Sequence, residues 1–238
     1  RQLLPVVEAM ESAVMGAERA APASHEGPSG LVRVGATEGF GTLILAPHLA
    51  QLTRKHPHLS IDLLALPRML HLSRREADIV ISLERPTRGS VIVSRLSDYS
   101  LYLYGQREYL ARKPLVATRE DLRHHAFVSY VDDLLFTKEL QFLDALHQPE
   151  RFAFRSTSIT AQYEAVRAGA GLAVLPAFLA DRDPVLTRVL PQEGQFTRTF
   201  WMSMPSESKH LARMQVTWAF LRETVAAQQE LLKPKAVR

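Results

Sequence analysis

The sequence predicts an α/β protein made of two Rossmann-like lobes and preceded by a helix. Three observations lead to this prediction. Short apolar runs alternate with helical patterns after residue 30, the alternation starts again near residue 118, and an extended stretch separates the two halves. Strands joined by helical crossovers lie parallel in a sheet that is covered on both faces. Because a second extended stretch returns the chain to the first half, we expect two crossover strands with a cleft between the lobes.

The composition limits the classes of protein to which the chain can belong. With 238 residues, 46% of them apolar and 23% charged, the chain can bury a substantial core and is not wholly disordered. No run approaches the about 18 consecutive apolar residues of a membrane-spanning helix, so we expect no membrane segment. The absence of cysteine excludes disulfides and cysteine-ligated zinc, and it agrees with a cytoplasmic location. A net charge of +4 with scattered arginines is weak evidence for nucleic-acid binding.

Residues 1–21 predict a helix that packs along a narrow seam. Its apolar residues recur at alternating steps of four and three, which is the spacing of helices that pair with one another. We expect it to be the end of a longer helix. Residues 22–30 contain two Pro, two Gly and two Ser, and they predict a linker. The seam residues are Leu3, Val7, Met10, Val14, Ala17 and Ala21.

The two lobes are predicted from the order of their elements. In the first half we expect strands at 31–36, 59–65 and 77–83, a helix with Leu45, Leu49 and Leu52 on one face, and a short helix at 68–76. Pro47 predicts a kink or a late start of the regular helix. Two strand-like runs, broken at Ser97-Asp98, occupy 91–106. The second half then predicts helices at 118–124, 135–146 and 158–168, strands at 126–130, 151–155 and 171–176, an extended stretch at 195–204 and a final helix through Leu211, Met214, Trp218, Leu221, Val225 and Leu232.

Ligand-binding candidates follow the predicted strands, because the carboxyl ends of parallel strands and the helix N-termini beside them hold ligands. The three hydroxyls at 156–158 exceed what capping one helix requires. Two helix N-termini facing one crevice favour a small anion such as a carboxylate, whereas Glu38 opposes one and leaves a neutral or amphoteric ligand as the alternative. The candidates are Thr37, Glu38, Gly39, Phe40, Pro67, Arg68, Val131, Ser156, Thr157, Ser158 and Ala177, with Arg85 and Phe178 nearby.

Motifs for catalysis, cofactors and metals are missing from the sequence. It contains no nucleophile elbow, no phosphate-binding loop and no acid–base constellation, so we expect neither an enzyme nor a cofactor. Gly169-Ala-Gly171 follows a helix and precedes a strand, which is typical of a helix C-cap. The histidine pairs at 56/58 and 124/125 are interpreted as surface residues rather than metal ligands.

Several segments, in this order and spacing, resemble the regulatory region of LysR-type transcriptional regulators over essentially the whole chain. They are Gly30-Leu-Val-Arg-Val-Gly-Ala36, Leu45-Ala-Pro-His-Leu49, His56-Pro57, Arg75-Glu-Ala-Asp-Ile-Val-Ile81, Tyr109-Leu110 and Val166-Arg-Ala-Gly-Ala-Gly-Leu-Ala-Val-Leu-Pro176. One departure concerns a wall of the cleft: Glu76-Ala77 precede Asp78, where the family commonly has a glycine.

The resemblance implies a fold similar to type 2 periplasmic binding proteins and a small-molecule effector in the cleft. It implies that residues 1–21 end the linker helix, that 31–97 with 205–238 form lobe I, and that 98–204 form lobe II. It also implies a homodimer or homotetramer that contacts DNA only through a winged helix-turn-helix missing from this chain. By position, the family's effector contacts fall on Thr37, Glu38, Gly39, Val131, Ser156 to Ser158 and, nearby, Ala177.

Two other classes of protein remain open at this point. A free solute-binding protein would share the two-lobed fold, but we expect it to begin with a signal peptide or at the first strand rather than with half of a coiled coil. An enzyme is the third interpretation, and the missing acid–base constellation argues against it.

Overall fold

The computed structural model describes residues 27–66, 72 and 76–234. The predicted N-terminal helix, most of the linker, the short helix at 68–76, Pro67 and Arg68 therefore fall wholly or largely outside the described residues. The first half contains β1 (Gly30–Ala36), α1 (Glu38–Phe40), a π-helical turn (Gly41–Leu45), α2 (Ala46–Lys55), β2 (Leu59–Ala65), β3 (Ile79–Ser82) and β4 (Val91–Gln106).

The second half begins after β4 and returns to lobe I at its end. Its helices and strands are α3 (Arg107–Ala111), β5 (Phe127–Ser129), α4 (Leu143–Leu146), β6 (Phe152–Arg155), α5 (Ile159–Arg167), β7 (Ala173–Pro176), α6 (Ala177–Ala180), β8 (Leu186–Val189), β9 (Gln195–Pro205), α7 (Ala212–Ala227) and α8 (Gln229–Leu232). Short 3-10 turns lie at Glu120–His124, Asp132–Leu134, Lys138–Leu140 and Ser206–His210. Within the described residues, no helix is both long and apolar enough to cross a membrane.

One mixed sheet runs through both lobes. Its strand order is β2-β1-β3-β9-β4-β7, and β8 also pairs with β4. β1 lies parallel to β2 and β3, as the predicted βαβ pattern requires, whereas β9 lies antiparallel to both β3 and β4. β5 and β6 form a separate parallel pair. The prediction of an α/β protein with two crossover strands is therefore confirmed.

The crossover strands pair with each other along their length. The β4–β9 register runs from Val91 opposite Pro205 to Tyr102 opposite Gln195. The predicted break at Ser97-Asp98 is wrong, because β4 is one continuous strand whose register shifts between Arg95 and Ser97. A bulge of this kind keeps the strand continuous while it changes the strand's twist, and this accounts for the apparent break in the apolar pattern.

Pro47 has the predicted effect on the first helix. Residues 41–45 form a π-helical turn, and the regular α-helix begins at Ala46, so that Pro47 lies in its first turn. The residues before it are already helical, and the Ala46 amide donates to the Gly41 carbonyl in the π-helical pattern. The π-helical turn is a local change in the hydrogen-bond ladder just before Pro47, which has no amide proton to donate. The helix continues to Lys55 and buries Leu49 and Leu52, as predicted.

Two predictions in the second half are wrong, and one strand was missed. Residues 135–146 form a 3-10 turn and the short α4 rather than one helix, because Thr137 is extended (φ −157°) and its hydroxyl both accepts from the Glu139 amide and bonds the Glu84 carboxylate. Strand β8 was not predicted at all. His125 is buried rather than exposed: its Nε2 lies 3.1 Å from the Pro114 carbonyl oxygen.

The C-cap predicted at Gly169 is confirmed. Gly169 has φ +81°, a left-handed conformation that favours glycine. The Gly169 amide donates to the Val166 carbonyl at 2.9 Å, and the Ala170 amide donates to the Ala165 carbonyl at 3.0 Å. These two bonds are the Schellman pattern that ends a helix. They fix the direction in which the chain leaves α5 towards β7.

We expect Gly169→Ala to destabilise the fold by about 1–2 kcal/mol, because an alanine at positive φ brings its Cβ against its own backbone. Gly169→Asn is the matched control: asparagine tolerates this conformation, and both variants place a Cβ 3.1 Å from Gln106 Oε1. The free energy of unfolding is measured by urea titration with tryptophan fluorescence. Equal losses in the two variants would contradict the assignment of the effect to backbone strain.

Candidate functional site

A partly open cavity with about 40 Å³ of free internal space lies between the lobes, beside the crossover strands. Its walls come from the end of β1 and α1, from β4 and β9, from the loop after β5, from the start of α5 and from the β7–α6 junction. The lining residues are Thr37, Glu38, Gly39, Phe40, Leu83, Tyr99, Leu101, Tyr130, Phe136, Leu140, Thr157, Ile159, Pro176, Phe178 and Phe200.

Stacked aromatic rings form the inner wall of the cavity. Phe200 of β9 lies between Phe40 and Tyr99, with ring centroids 4.1 Å and 4.2 Å away. Phe178 of α6 meets Phe40 edge-on at 6.3 Å. Phe40 belongs to the first half of the chain and Phe178 to the second, so this stack joins both halves to the crossover strands. All four side chains are at most 3% exposed.

Glu38 occupies the N-terminus of α5. Its Oε1 accepts from the Ser158 hydroxyl at 2.8 Å, and its Oε2 accepts from the Ile159 amide at 3.0 Å. The first amides of a helix lack intrahelical acceptors and carry partial positive charge, so a carboxylate is favourable there. The anion expected from the sequence at this helix end is thus supplied by the protein itself, from the opposite half. We call these two bonds the Glu38 clasp.

The three neighbouring hydroxyls have different roles. Ser158 caps α5 by accepting from the Ala161 amide at 3.0 Å, and it also donates to Glu38. The Ser156 hydroxyl accepts from the Ser158 amide at 3.1 Å. Thr157 lines the cavity, and within the described part of the chain its hydroxyl has no hydrogen bond. Thr37 likewise precedes α1 without a side-chain cap bond, and it lines the cavity.

Two further contacts hold the cleft together near the clasp. Gly39 lies so close to α5 that a Cβ added there would stand 2.9 Å from Ile159 Cγ2, so only glycine permits this approach. The Thr137 hydroxyl donates to the Glu84 carboxylate, which connects the end of the first half to the loop after β5. Glu38 and Glu84 thus both accept from hydroxyls of the opposite half.

The remaining predicted site residues lie in other places. Val131 precedes a 3-10 turn, and Ala177 is fully buried at the start of α6; neither lines the cavity. Arg85 lies over the Trp201 ring, 5.4 Å from its centroid, outside the cavity lining. Pro67 and Arg68 are not among the described residues. The structure therefore brings Thr37, Glu38, Gly39, Phe40 and Thr157 to one cavity, with Ser156 and Ser158 supporting them.

Sequence reasoning missed the contribution of the crossover strands and of the loop after β5. Tyr99 and Leu101 are two residues apart on β4, so they share a face, and Phe200 lies on the neighbouring strand. Their alternation gave a usable signal, but pairing these positions across the sheet required the β4–β9 register. For Tyr130 and Phe136, the local sequence does not distinguish an aromatic residue that lines a cavity from one that is buried in the core.

The two tyrosines of the cavity are neutral hydrogen-bonding groups. Burial raises the pKa of Tyr99, and burial, the Tyr99 phenol and the Glu38 charge raise the pKa of Tyr130. Within the described residues neither hydroxyl has a hydrogen-bond partner, although Tyr99 is only 3% exposed. Both phenols are therefore available to a bound molecule as donors and acceptors.

The described residues contain no group of three or more histidine, aspartate or glutamate side chains placed to hold a metal ion. Among the described residues that line the cavity, Glu38 is the one Asp, Glu, Lys or Arg side chain, and it faces hydroxyl and amide donors. This donor set suits the binding of a small molecule through apolar contact and a few hydrogen bonds.

We expect Glu38→Ala and Ser158→Ala each to destabilise the fold by about 1–2 kcal/mol, because each removes a partner from the N-terminus of α5. The double variant should lose less than the sum, with a coupling free energy of at least about 0.5 kcal/mol. Unfolding in urea measures all three, and Glu223→Ala, at an exposed position on α7, is the control. Strict additivity would contradict a direct bond between the two side chains.

The comparisons with known proteins all point to the same family. A family model described as the LysR substrate binding domain matches residues 25–226. The transcriptional regulator CrgA of Neisseria meningitidis is 24% identical over 207 residues, which cover 84% of this chain and 69% of that protein. The Mau operon transcriptional activator of Paracoccus denitrificans is 28% identical over 178 residues, which cover 75% of this chain and 57% of that protein.

A solved structure shows the same fold. The regulatory domain of CrgA from Neisseria meningitidis superposes with a TM-score of 0.72 at 23% identity, over 83% of this chain and all of that domain. This chain spans roughly half to two thirds of the length of the curated relatives it matches. The matching relatives are transcriptional regulators, which does not favour the alternative of a free solute-binding protein. The chain belongs to the LysR substrate-binding domain family, whose two-lobed α/β fold it has.

Proposed function

We propose that the chain is the regulatory domain of a LysR-type transcriptional regulator and that the inter-lobe cavity binds its small-molecule effector. The observation that carries the proposal is the cavity itself, which is walled by both halves of the chain and by both crossover strands. A molecule bound there contacts every part that must move when the cleft opens or closes. Thr37, Glu38, Gly39, Phe40 and Thr157 are the effector contacts that this site supports.

The effector acts by shifting an equilibrium rather than by reacting. A ligand that contacts both lobes favours the closed arrangement to the extent that it binds that arrangement more tightly. The Glu38 clasp and the Gly39–Ile159 contact belong to the closed cleft. The fraction of molecules in which these contacts are formed therefore measures the shift towards the closed arrangement. No bond chemistry and no cofactor enter this mechanism.

The remainder of the regulator is proposed from the family. Residues 1–21 end a linker helix, 22–30 form a hinge, 31–97 with 205–238 form lobe I, and 98–204 form lobe II. A winged helix-turn-helix upstream of Arg1 contacts DNA, and the protein acts in the cytoplasm as a homodimer or homotetramer. Coupling the lobe arrangement to subunit packing then links the effector to DNA binding, because two sites that bias one equilibrium affect each other.

We expect Thr157→Trp to abolish effector binding, because an indole at this lining position fills the cavity from the start of α5. Thr160→Trp is the matched control, since Thr160 lies three residues further along, in the first turn of α5, and is exposed. Thermal shift and calorimetry with a panel of metabolite acids, amines and neutral compounds measure binding to both variants and to the wild type. A ligand whose affinity is the same in all three proteins would place the effector site elsewhere.

A further inference from the structure

The charge and the free hydroxyls of the cavity define the chemical class of its ligand. We propose that the cavity takes an apolar, ring-containing molecule with an amine or another hydrogen-bond-donating head group, and that it rejects carboxylates. This inference rests on the function proposed above and departs from the anion that the sequence predicts.

The first argument is that the anion site at α5 is already filled. Glu38 accepts from the Ser158 hydroxyl and the Ile159 amide, and Ser158 accepts from the Ala161 amide. A ligand carboxylate seated at this helix end would have to displace Glu38 or lie beside it. Two carboxylates side by side repel each other, and each would lose donors to the other.

The second argument concerns the charge of Glu38. Among the described residues, neither Glu38 nor Glu84 forms an ion pair. Arg198, whose charge lies near Tyr99, is held by Glu139 at 2.7 Å. The Glu38 charge also reaches into the cavity, because it helps to raise the pKa of Tyr130. A carboxylate without an ion pair among the described residues favours a ligand ammonium group over a ligand carboxylate beside it.

The third argument comes from the walls and the hydroxyls. Phe40, Phe178 and Phe200 pack against one another and form an apolar wall, which suits the apolar part of a ligand. The Tyr99 ring is almost wholly buried in this wall, and its hydroxyl has no hydrogen-bond partner among the described residues. A hydroxyl without a partner at the cavity wall is available to a polar group on the ligand.

The test uses probes with the same ring and different head groups: benzylamine, benzyl alcohol and benzoate, and phenethylamine with phenylacetate. Calorimetry on the 238-residue chain measures each dissociation constant at low salt. We expect the amines to bind at least tenfold more tightly than the matching acids, with the alcohol between them. The comparison among probes needs no variant, so it stands whether or not the variants fold.

Glu38→Gln removes the charge but keeps a hydrogen-bonding side chain. We expect it to weaken amine binding about tenfold and to narrow the difference between amines and acids. Glu223→Gln makes the same charge change at an exposed position outside the cavity lining, and we expect it to leave both affinities unchanged. Melting temperatures confirm that both variants are folded.

The outcomes separate the inference from the function on which it rests. Tighter binding of benzoate or phenylacetate in the wild type, abolished by Thr157→Trp, overturns the ligand class and leaves the effector site standing. Equal losses in the Glu38 and Glu223 variants overturn the assigned role of Glu38. Binding of no probe, or binding that Thr157→Trp does not change, counts against the inter-lobe effector site itself.

Discussion

The antiparallel pairing of β4 with β9 is the constraint on which the rest of the structure depends. Both strands run from one half of the molecule into the other, and their register is maintained from Val91 to Tyr102 apart from one shift. A continuous ladder of backbone hydrogen bonds fixes how far apart the halves lie. It also presents Tyr99 and Phe200 as the inner wall of the cavity. The site exists because the same two strands serve as connection and as wall.

The contacts at the mouth of the cleft differ from this ladder in strength and in kind. They are side-chain bonds at half-exposed positions, such as the Glu38 clasp, and each contributes on the order of 1–3 kcal/mol. A ligand of ordinary affinity can replace contacts of this size with its own contacts. It cannot replace the whole ladder of backbone hydrogen bonds between β4 and β9. In the proposed function, the sheet stays intact while a small molecule shifts the cleft by exchanging these side-chain bonds.

Local patterns predicted those parts of the fold that local physics determines. The strands at 31–36 and 59–65, the late start of the helix at Pro47 and the C-cap at Gly169 all follow from periodicity and backbone preference. Residues 135–146 have helical spacing, but Thr137 is held extended by a bond to Glu84, more than fifty residues earlier. Such distant partners are not visible in a local pattern.

In the candidate site, too, local sequence predicted some features, and others depend on residues that are distant in the sequence. The residues after β1 and before α5 were predicted as ligand contacts, and the structure brings Thr37, Glu38 and Thr157 to one cavity. That Glu38 fills the anion site of α5 depends on two segments 120 residues apart meeting across the cleft. The sequence could show that a helix N-terminus was available, but the identity of its anion required the tertiary structure.

The two ends of α5 are held in different ways, and this bears on how a ligand acts. Near its C-terminus, Tyr163 and Arg167 both bind Asp183 at 2.8–2.9 Å, and the Asp183 side chain is 8% exposed. Burial opposes ionisation of Asp183, but the Val185 amide, Tyr163 and Arg167 together hold its pKa below the ordinary value, so this end is firmly anchored. The N-terminal end depends on Glu38, which belongs to the opposite half. A change in the cleft that alters the Glu38 bonds therefore acts on the N-terminal end of α5, while the Asp183 contacts hold its other end in place.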